Sequence, residues 1–369
     1  MGDVAKNTVS LGNESAADPL VDVGAIEGGV NLLIVGSDTR LDQLTVADST
    51  GGARNDVTML MHISQDHQRV TVVSIPRDTM ITMPACKDPV SGAALGSVSY
   101  QQFNTALGRG GLACVVKAAE SVTGLTIPYA GMISFDGVTA MTNVMGGVDV
   151  CIAKAINDPY SNVHLAAGQQ RLSGEVALGF LRTREGVGDG SDLARISSQQ
   201  VYLSALVRKM LSEGTLTNPL TIYGLAKAAL SNMQFSTQLA SLDSMVSVAK
   251  ALAGVSLANV AFLRYPVVGD PQDANRVVVS GADSKILNAA LLNDTPLDLS
   301  RASTAGSSKV ESTVADPAAT ATPEPAATAT PAPDATATPA PDATAGAAVR
   351  LPDSFTGQTA SQVTCSIGN

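Results

Sequence analysis

Two short aliphatic runs each deliver charged residues at their C-terminal ends, and this pattern restricts the chain to folds built on a buried sheet. Asn31 to Val35 leads through Gly36 and Ser37 to Asp38, and Arg69 to Ile75 is stopped by Pro76, which leaves Arg77 just beyond the stop. Runs without polar alternation read as strands covered on both faces. Proline ends the second because it disfavours continued regular pairing around it. Val57 to Ile63 and Arg69 to Ile75 flank the polar stretch Gln65 to Gln68 and read as a hairpin.

Helically spaced segments alternate with these strands. Gly111 to Thr123 ends at Gly124, and Phe135 to Met145 ends at the Gly146-Gly147 pair. Further strands are expected at Tyr129–Ser134, Val148–Ile152 and Val260–Arg264. Ser173 is placed to cap a helix running through Leu178 and Gly179, with Glu175 in its first turn. A long helix from Asp192 to Ser212 is expected to bury Leu193, Ile196, Leu203, Leu206, Val207 and Met210 as one stripe. The alternation predicts an α/β domain whose sheet is covered on both faces, with mixed pairing because of the hairpin.

Composition sets further bounds. Apolar residues make up 45% of the 369 and aromatic ones only 3%, with no Trp, so the core is aliphatic and stacked aromatic platforms for sugars are excluded. No apolar run reaches about eighteen residues, and the start lacks the basic-then-apolar layout of a signal peptide. Residues 1–30 receive no firm structure and are read as following a removed membrane anchor. The domain is expected over 31–300. Ala-Thr-Pro and Ala-Pro-Asp repeats over 301–350 read as a stiff linker, and 351–369 as a tail carrying Cys365. The four cysteines are too dispersed for a zinc motif and fit two disulfides outside the cytoplasm. Of three connectivities, Cys86–Cys114 with Cys151–Cys365 is favoured. His62, His67 and His164 lie outside every charged block and read as structural.

The net charge is −10, yet six arginines gather in four short blocks. Arg40 lies in N-L-L-I-V-G-S-D-T-R, Arg54 in A-R-N-D, Arg77 in S-I-P-R-D, and Arg182, Arg184 and Arg195 in R-T-R…D-L-A-R-I-S-S-Q-Q. Cations collected against the overall sign point to an anionic ligand, with no indication of nucleic acid. Guanidinium forks match phosphate oxygens in pairs, and the carboxylates of Asp38 and Asp56 suit the Mg2+ that accompanies pyrophosphate. Asp192, Arg195 and Gln199 share one face near a helix N-terminus, where partial positive charge favours phosphate.

The order and spacing of these blocks, joined by F-N-T-A-L-G-R-G-G, N-V-M-G-G-V-D-V and L-S-G-E-V-A-L-G-F-L-R-T-R, resemble the LytR-CpsA-Psr family of cell-envelope phosphotransferases from about Asn31 to Asp294. The resemblance implies a three-layer α/β/α sandwich with a mixed central sheet. It also implies transfer of a glycosyl phosphate from a polyprenyl-pyrophosphate-linked glycan to a hydroxyl on peptidoglycan or a wall protein. Members are typically membrane-anchored with the catalytic domain outside, so the expected location is the extracytoplasmic face of the membrane or the cell wall. Asp38 and Asp56 resemble the Mg2+-holding acids. Arg40, Arg54, Arg77, Arg182, Arg184, Arg195 and Gln199 resemble the pyrophosphate shell, and Asp192 the acid that helps activate the acceptor. Ser198 departs from the Arg that many members carry before the Gln-Gln pair. The Leu203–Leu211 and Ile222–Leu230 segments are candidate walls for the isoprenoid and equally read as core. A glycan-binding module without chemistry and a polyprenyl-pyrophosphate pyrophosphatase remain alternatives.

Overall fold

The computed structural model describes residues 8–12, 28–37, 53–212, 219–304, 308–313 and 348–369. Seven α-helices occur among them: α1 (Ala106–Thr123), α2 (Phe135–Val144), α3 (Gly174–Arg182), α4 (Asp192–Ser212), α5 (Pro219–Asn232), α6 (Leu242–Ala253) and α7 (Gly281–Leu292). The central sheet has eight strands in the order Thr8–Val9, Met233–Ser236, Tyr129–Ile133, Val30–Ser37, Asn55–Ile63, Val70–Ser74, Val260–Arg264 and Gly357–Thr359.

Pairing in this sheet is mixed. Strands 30–37 and 129–133 run parallel, as do 70–74 and 260–264, whereas 55–63 is antiparallel to both of its neighbours. Strands 30–37, 70–74, 129–133 and 260–264 therefore all end at the same edge, the edge at which 55–63 begins. Alternation along the strands splits the aliphatic core in two. Leu33, Val35, Leu60 and Val73 pack with Leu112, Val115, Val116 and Ala119 of α1 and Leu287 and Leu291 of α7. Leu32, Met59, Ile63 and Val72 pack on the other face with Ala229 of α5, Val248 and Ala251 of α6, and Leu203 and Val207 of α4. The result is the three-layer α/β/α sandwich.

Gly124 ends α1 in the left-handed conformation, and its amide donates to Glu120 O. Ahead of the expected start at Gly111 lies one more helical turn, separated by a kink at Gly110 and Gly111. A Cβ on Gly110 would stand 2.7 Å from the Cβ of Cys114 and 3.0 Å from that of Cys86, so the kink gives room for a disulfide. That disulfide is Cys86–Cys114, and the second is Cys151–Cys365.

The single buried stripe expected for α4 is corrected. Asp192 and every residue from Ala194 to Tyr202 are buried, including Ser197, Ser198, Gln199 and Gln200, while Leu193, Leu206, Val207 and Met210 are only partly so. The cause is a second sheet, ordered Gly168–Leu172, Val148–Lys154, Gln362–Ile367 and Ser308–Thr313. Its Val148, Val150, Ile152 and Leu172 pack on Ala194, Val201, Tyr202 and Ala205. The first turns of α4 thus lie between two sheets, and small Ser and Ala side chains let both approach.

Residues 308–313, inside the segment read as linker, form a strand, and residues 314–347 lie outside the described residues. The tail adds an edge strand to the central sheet (357–359) and an inner strand to the second (362–367). No helix among the described residues is long and apolar enough to cross a membrane.

Candidate active site

The charged cluster sits at the edge where the four co-directional strands end, the usual ligand side of an open α/β sheet. Ser37 pairs with Asn55, which brings Asp56 to that edge. Proline terminates the neighbouring strand, and the Ile75 amide donates to Thr58 O. A tight turn follows, in which the Thr79 hydroxyl donates to Pro76 O at 2.7 Å and the Asn104 amide to Arg77 O at 3.1 Å. Arg77 is fixed in this turn.

Arg77 is the hub. Its Nη1 donates to Asp56 Oδ1 at 2.6 Å, and its Nε stands 3.5 Å from Asp78 Oδ2 and 3.6 Å from Asp192 Oδ1. From the first turn of α4, Arg195 Nη2 lies 2.6 Å from Asp192 Oδ1, a charge contact between residues one turn apart, and donates to Asp56 O at 2.5 Å. Burial alone would lower the Arg77 pKa, but the carboxylates of Asp192, Asp56 and Asp78 outweigh it and raise the pKa. Arg195 is only 5% exposed, and its desolvation prevails, lowering its pKa. Arg184 is close enough for its charge to act on Arg195.

These guanidinium groups are incompletely satisfied. The Nε atoms of Arg77, Arg184 and Arg195 are buried and have no hydrogen-bond acceptor among the described residues, and neither oxygen of Asp192 accepts a well-aligned bond. Leaving a buried donor unpaired costs about 1–3 kcal/mol, and more for charged groups. Three such donors in one place suit an oxygen-rich anion. Asp56, Thr58, Ser74, Asp192, Arg195 and Gln199 line a tight crevice beside them.

Among the residues singled out in the sequence, the structure brings together Asp56, Arg77, Arg184, Asp192, Arg195 and Gln199. Gln199 gives its amide to Leu181 O at 2.9 Å, tying α4 to the end of α3. Arg182 is exposed and stacks 4.2 Å over the Phe135 ring. Arg54 is exposed and makes no ion pair with the described residues. Asp38 and Arg40 lie outside the described residues. Sequence reasoning passed over Asp78, Gln102, Asn104 and Arg276. Asp78 accepts from Gln102 Nε2 at 2.9 Å and stands 3.6 Å from Arg276 Nη1. Asn104 is 1% exposed, and its Oδ1 is unpaired. Asp78 and Asn104 stand within quoted motifs and could have been found there; Arg276 comes from a loop that carries no motif.

His62 and His67 stay away from this cluster. His62 lies six residues along its strand from Asp56, roughly 20 Å at strand rise, and its ring contacts Asn31 Oδ1 at 2.8 Å and Asp294 Oδ1 at 3.2 Å. His67 contacts Gly28 O at 2.9 Å.

The fit to Mg2+ rests on oxygen donors. Asp56 Oδ1 is engaged by Arg77, and Oδ2 takes no hydrogen bond from the described residues. Such an oxygen is a hard ligand, and Mg2+ commonly takes one or two carboxylates with phosphates completing its shell. No group of three or more His, Cys, Asp or Glu capable of holding a metal occurs among the described residues. Asp56 Oδ2 would thus suit a Mg2+ that takes its other ligands from phosphate.

The LytR_cpsA_psr family model matches residues 3–291. The chain belongs to this family. Its relatives include Cell wall biosynthesis protein LcpA of Corynebacterium glutamicum, 32% identical over 273 residues, covering 65% of this chain and 52% of that protein. Another is the polyisoprenyl-teichoic acid–peptidoglycan teichoic acid transferase TagT of Bacillus subtilis, 28% identical over 188 residues, covering 49% and 53%. The chain thus spans about half the length of these curated relatives. In fold it is similar to the crystal structure of B. subtilis TagV, with a TM-score of 0.58 at 20% identity, covering 73% of this chain and 97% of that one.

Proposed function

We propose that this protein is a phosphotransferase that moves a glycosyl phosphate from a polyprenyl-pyrophosphate-linked glycan to an acceptor hydroxyl on peptidoglycan or a wall protein, at the extracytoplasmic face of a membrane to which an N-terminal anchor holds it. The observation that carries the proposal is the trio of buried Nε donors of Arg77, Arg184 and Arg195, without a hydrogen-bond acceptor among the described residues, beside the carboxylates of Asp56, Asp78 and Asp192. Family membership and the transferase names of relatives such as TagT support the same reading.

Phosphoryl transfer asks a protein chiefly for alignment and for charge placed against developing negative oxygens. Arg77, Arg184 and Arg195 bind and orient the pyrophosphate, assisted by Arg40, Arg54 and Arg182. The acceptor oxygen attacks the phosphorus bearing the glycan, the bond from that phosphorus to the bridging oxygen breaks, and polyprenyl phosphate leaves. Asp192 takes the acceptor's proton; among the described residues its carboxylate oxygens accept no hydrogen bond and have only charge contacts with Arg77 and Arg195. Asp38 and Asp56 would hold Mg2+, which would supply positive charge against the pyrophosphate.

The isoprenoid wall in this proposal lies on the sheet face shared with α4 and α5. Leu203, Val207, Leu211 and Leu230 are only partly buried there, beside the similarly placed Met61, Met141, Met233 and Met245. Flexible methionines adapt readily to an irregular chain, and each covered methylene contributes about 0.8 kcal/mol.

The test is incubation with a polyprenyl-pyrophosphate glycan and peptidoglycan fragments, with and without Mg2+. Glycan gain by the acceptor, lowered about 10²–10³-fold in Arg77→Ala, is expected. Phosphate release with no glycan gain on any acceptor would replace transfer with hydrolysis, and tight binding without turnover would leave a glycan-binding module.

A further inference from the structure

Arg184 has no side-chain hydrogen-bond partner among the described residues, and its Nε is buried without an acceptor there, so the backbone that carries it sets its place. That backbone is gripped by one buried carboxylate. Asp158, 1% exposed at the end of the short strand Ile156–Asp158, accepts four hydrogen bonds. Oδ1 takes the amides of Tyr160 at 2.9 Å and Ser161 at 3.1 Å, fixing its own loop. Oδ2 takes the Thr183 hydroxyl at 2.6 Å and the Arg184 amide at 3.2 Å, fixing the arginine block. A carboxylate with both oxygens doubly used has no capacity left for a substrate proton or a cation. Its role is geometric.

The following residues are held from the opposite side. The Gly188 amide donates to Ile367 O at 3.3 Å, the Asn369 amide to Gly186 O at 3.2 Å, and the Asn369 side chain to Glu185 O. Gly186 is pressed against the carboxylate side: a Cβ there would stand 2.9 Å from Asp158 Cβ and 3.0 Å from Thr183 Oγ1. The segment from Thr183 to Gly188 is therefore suspended between Asp158 and the strand-end residues 367–369.

We infer that Asp158 is a positioning residue of the pyrophosphate site, acting through Thr183 and the Arg184 backbone to aim the Arg184 guanidinium, with residues 367–369 as the opposing support. The inference rests on the pyrophosphate reading above for what Arg184 is aimed at. Its geometry is independent of that reading.

The experiment compares kcat and KM for turnover of a polyprenyl pyrophosphate in wild type, Asp158→Asn, Arg184→Ala and the double variant, with Tm for each. Asp158→Asn keeps the shape but turns an amide donor toward one donor pair. A loss of about 10–100-fold in kcat/KM is expected at a temperature where the variant is folded, with little or no further loss when it is added to Arg184→Ala, because both act on one group. Thr183→Val should share the loss and Thr183→Ser should retain activity, which guards against an Asp158→Asn protein that fails to fold. Additive losses, or wild-type kinetics in Asp158→Asn and Thr183→Val, would overturn the inference. Should the wild type show neither turnover nor binding of inorganic pyrophosphate, the functional reading fails by itself. The positioning role is then decided by amide hydrogen exchange: tenfold or faster exchange over 183–190 in Thr183→Val with α1 unchanged upholds it, and unchanged exchange overturns it.

Discussion

At the scale of single residues, the site works by pitting guanidinium groups against carboxylates at close range. Arg77 is shared by Asp56, Asp78 and Asp192, so Arg77→Lys loses the fork that serves several oxygens at once. Transfer by Arg77→Lys is expected to fall at least about tenfold, and wild-type turnover would show that charge alone suffices. Asp158 gives a pH signature. Burial pushes its pKa up, but hydrogen bonds from Thr183, Ser161 and Arg184 prevail and hold it below the ordinary value. Its stabilising contribution is thus full above the ordinary aspartate pKa of about 3.9 and is lost as pH falls through the lower folded value. The acid limb of a Tm-versus-pH profile should be shallower in Asp158→Asn; an identical limb would remove Asp158 as a contributor. Much of the cluster was legible in the sequence because strand-ending punctuation and helix spacing place Asp56, Arg77, Asp192 and Arg195. Arg276 was not, because it reaches Asp78 from a loop whose sequence has no periodicity or motif.

At the scale of elements, α4 shows why the sequence misled. Its leucines keep helical spacing, yet the residues between them are the ones most deeply covered, since two sheets close on the helix. Periodicity reports one apolar face and is silent about a polar face buried under a second layer. Ser198 makes the point concrete. It is fully buried, and its hydroxyl lies 2.9 Å from that of Ser366. The tail strand occupies the space a longer side chain would need, which accounts for Ser where the family resemblance leads one to expect Arg. Ser198→Arg should destabilise by about 3–5 kcal/mol, the range for an uncompensated buried charge, read as a fall in the denaturation midpoint. An unchanged midpoint would mean that the tail yields there at little cost. The strand boundaries at 260–264 and the helix span 192–212 were readable because apolar runs and their punctuation coincide. The strand 308–313 was not, since its pairing is supplied by 362–367, roughly fifty residues away in sequence.

At the scale of the whole molecule, two disulfides join distant parts of one fold. The bridges have sequence separations of 28 and 214, and chain-entropy arithmetic gives about 3–4 and about 5 kcal/mol respectively, before any offset from native strain. Reduction should therefore lower Tm more through Cys151–Cys365 than through Cys86–Cys114. Paired Cys→Ser variants separate the two, and equal effects would contradict the loop-length argument. A thiol count on the denatured, unreduced protein should find no free cysteine. The strand 362–367 lies inside the second sheet, flanked by 148–154 and 308–313, and supports both α4 and the arginine loop. That placement gives activity a position in time. A ribosome releases this chain in order, so the strands 148–154 and 308–313 must wait, unpaired with each other, until residue 367 has emerged. The loop that carries Arg184 can settle only then, and a chain still being made holds that arginine without the arrangement of the finished fold.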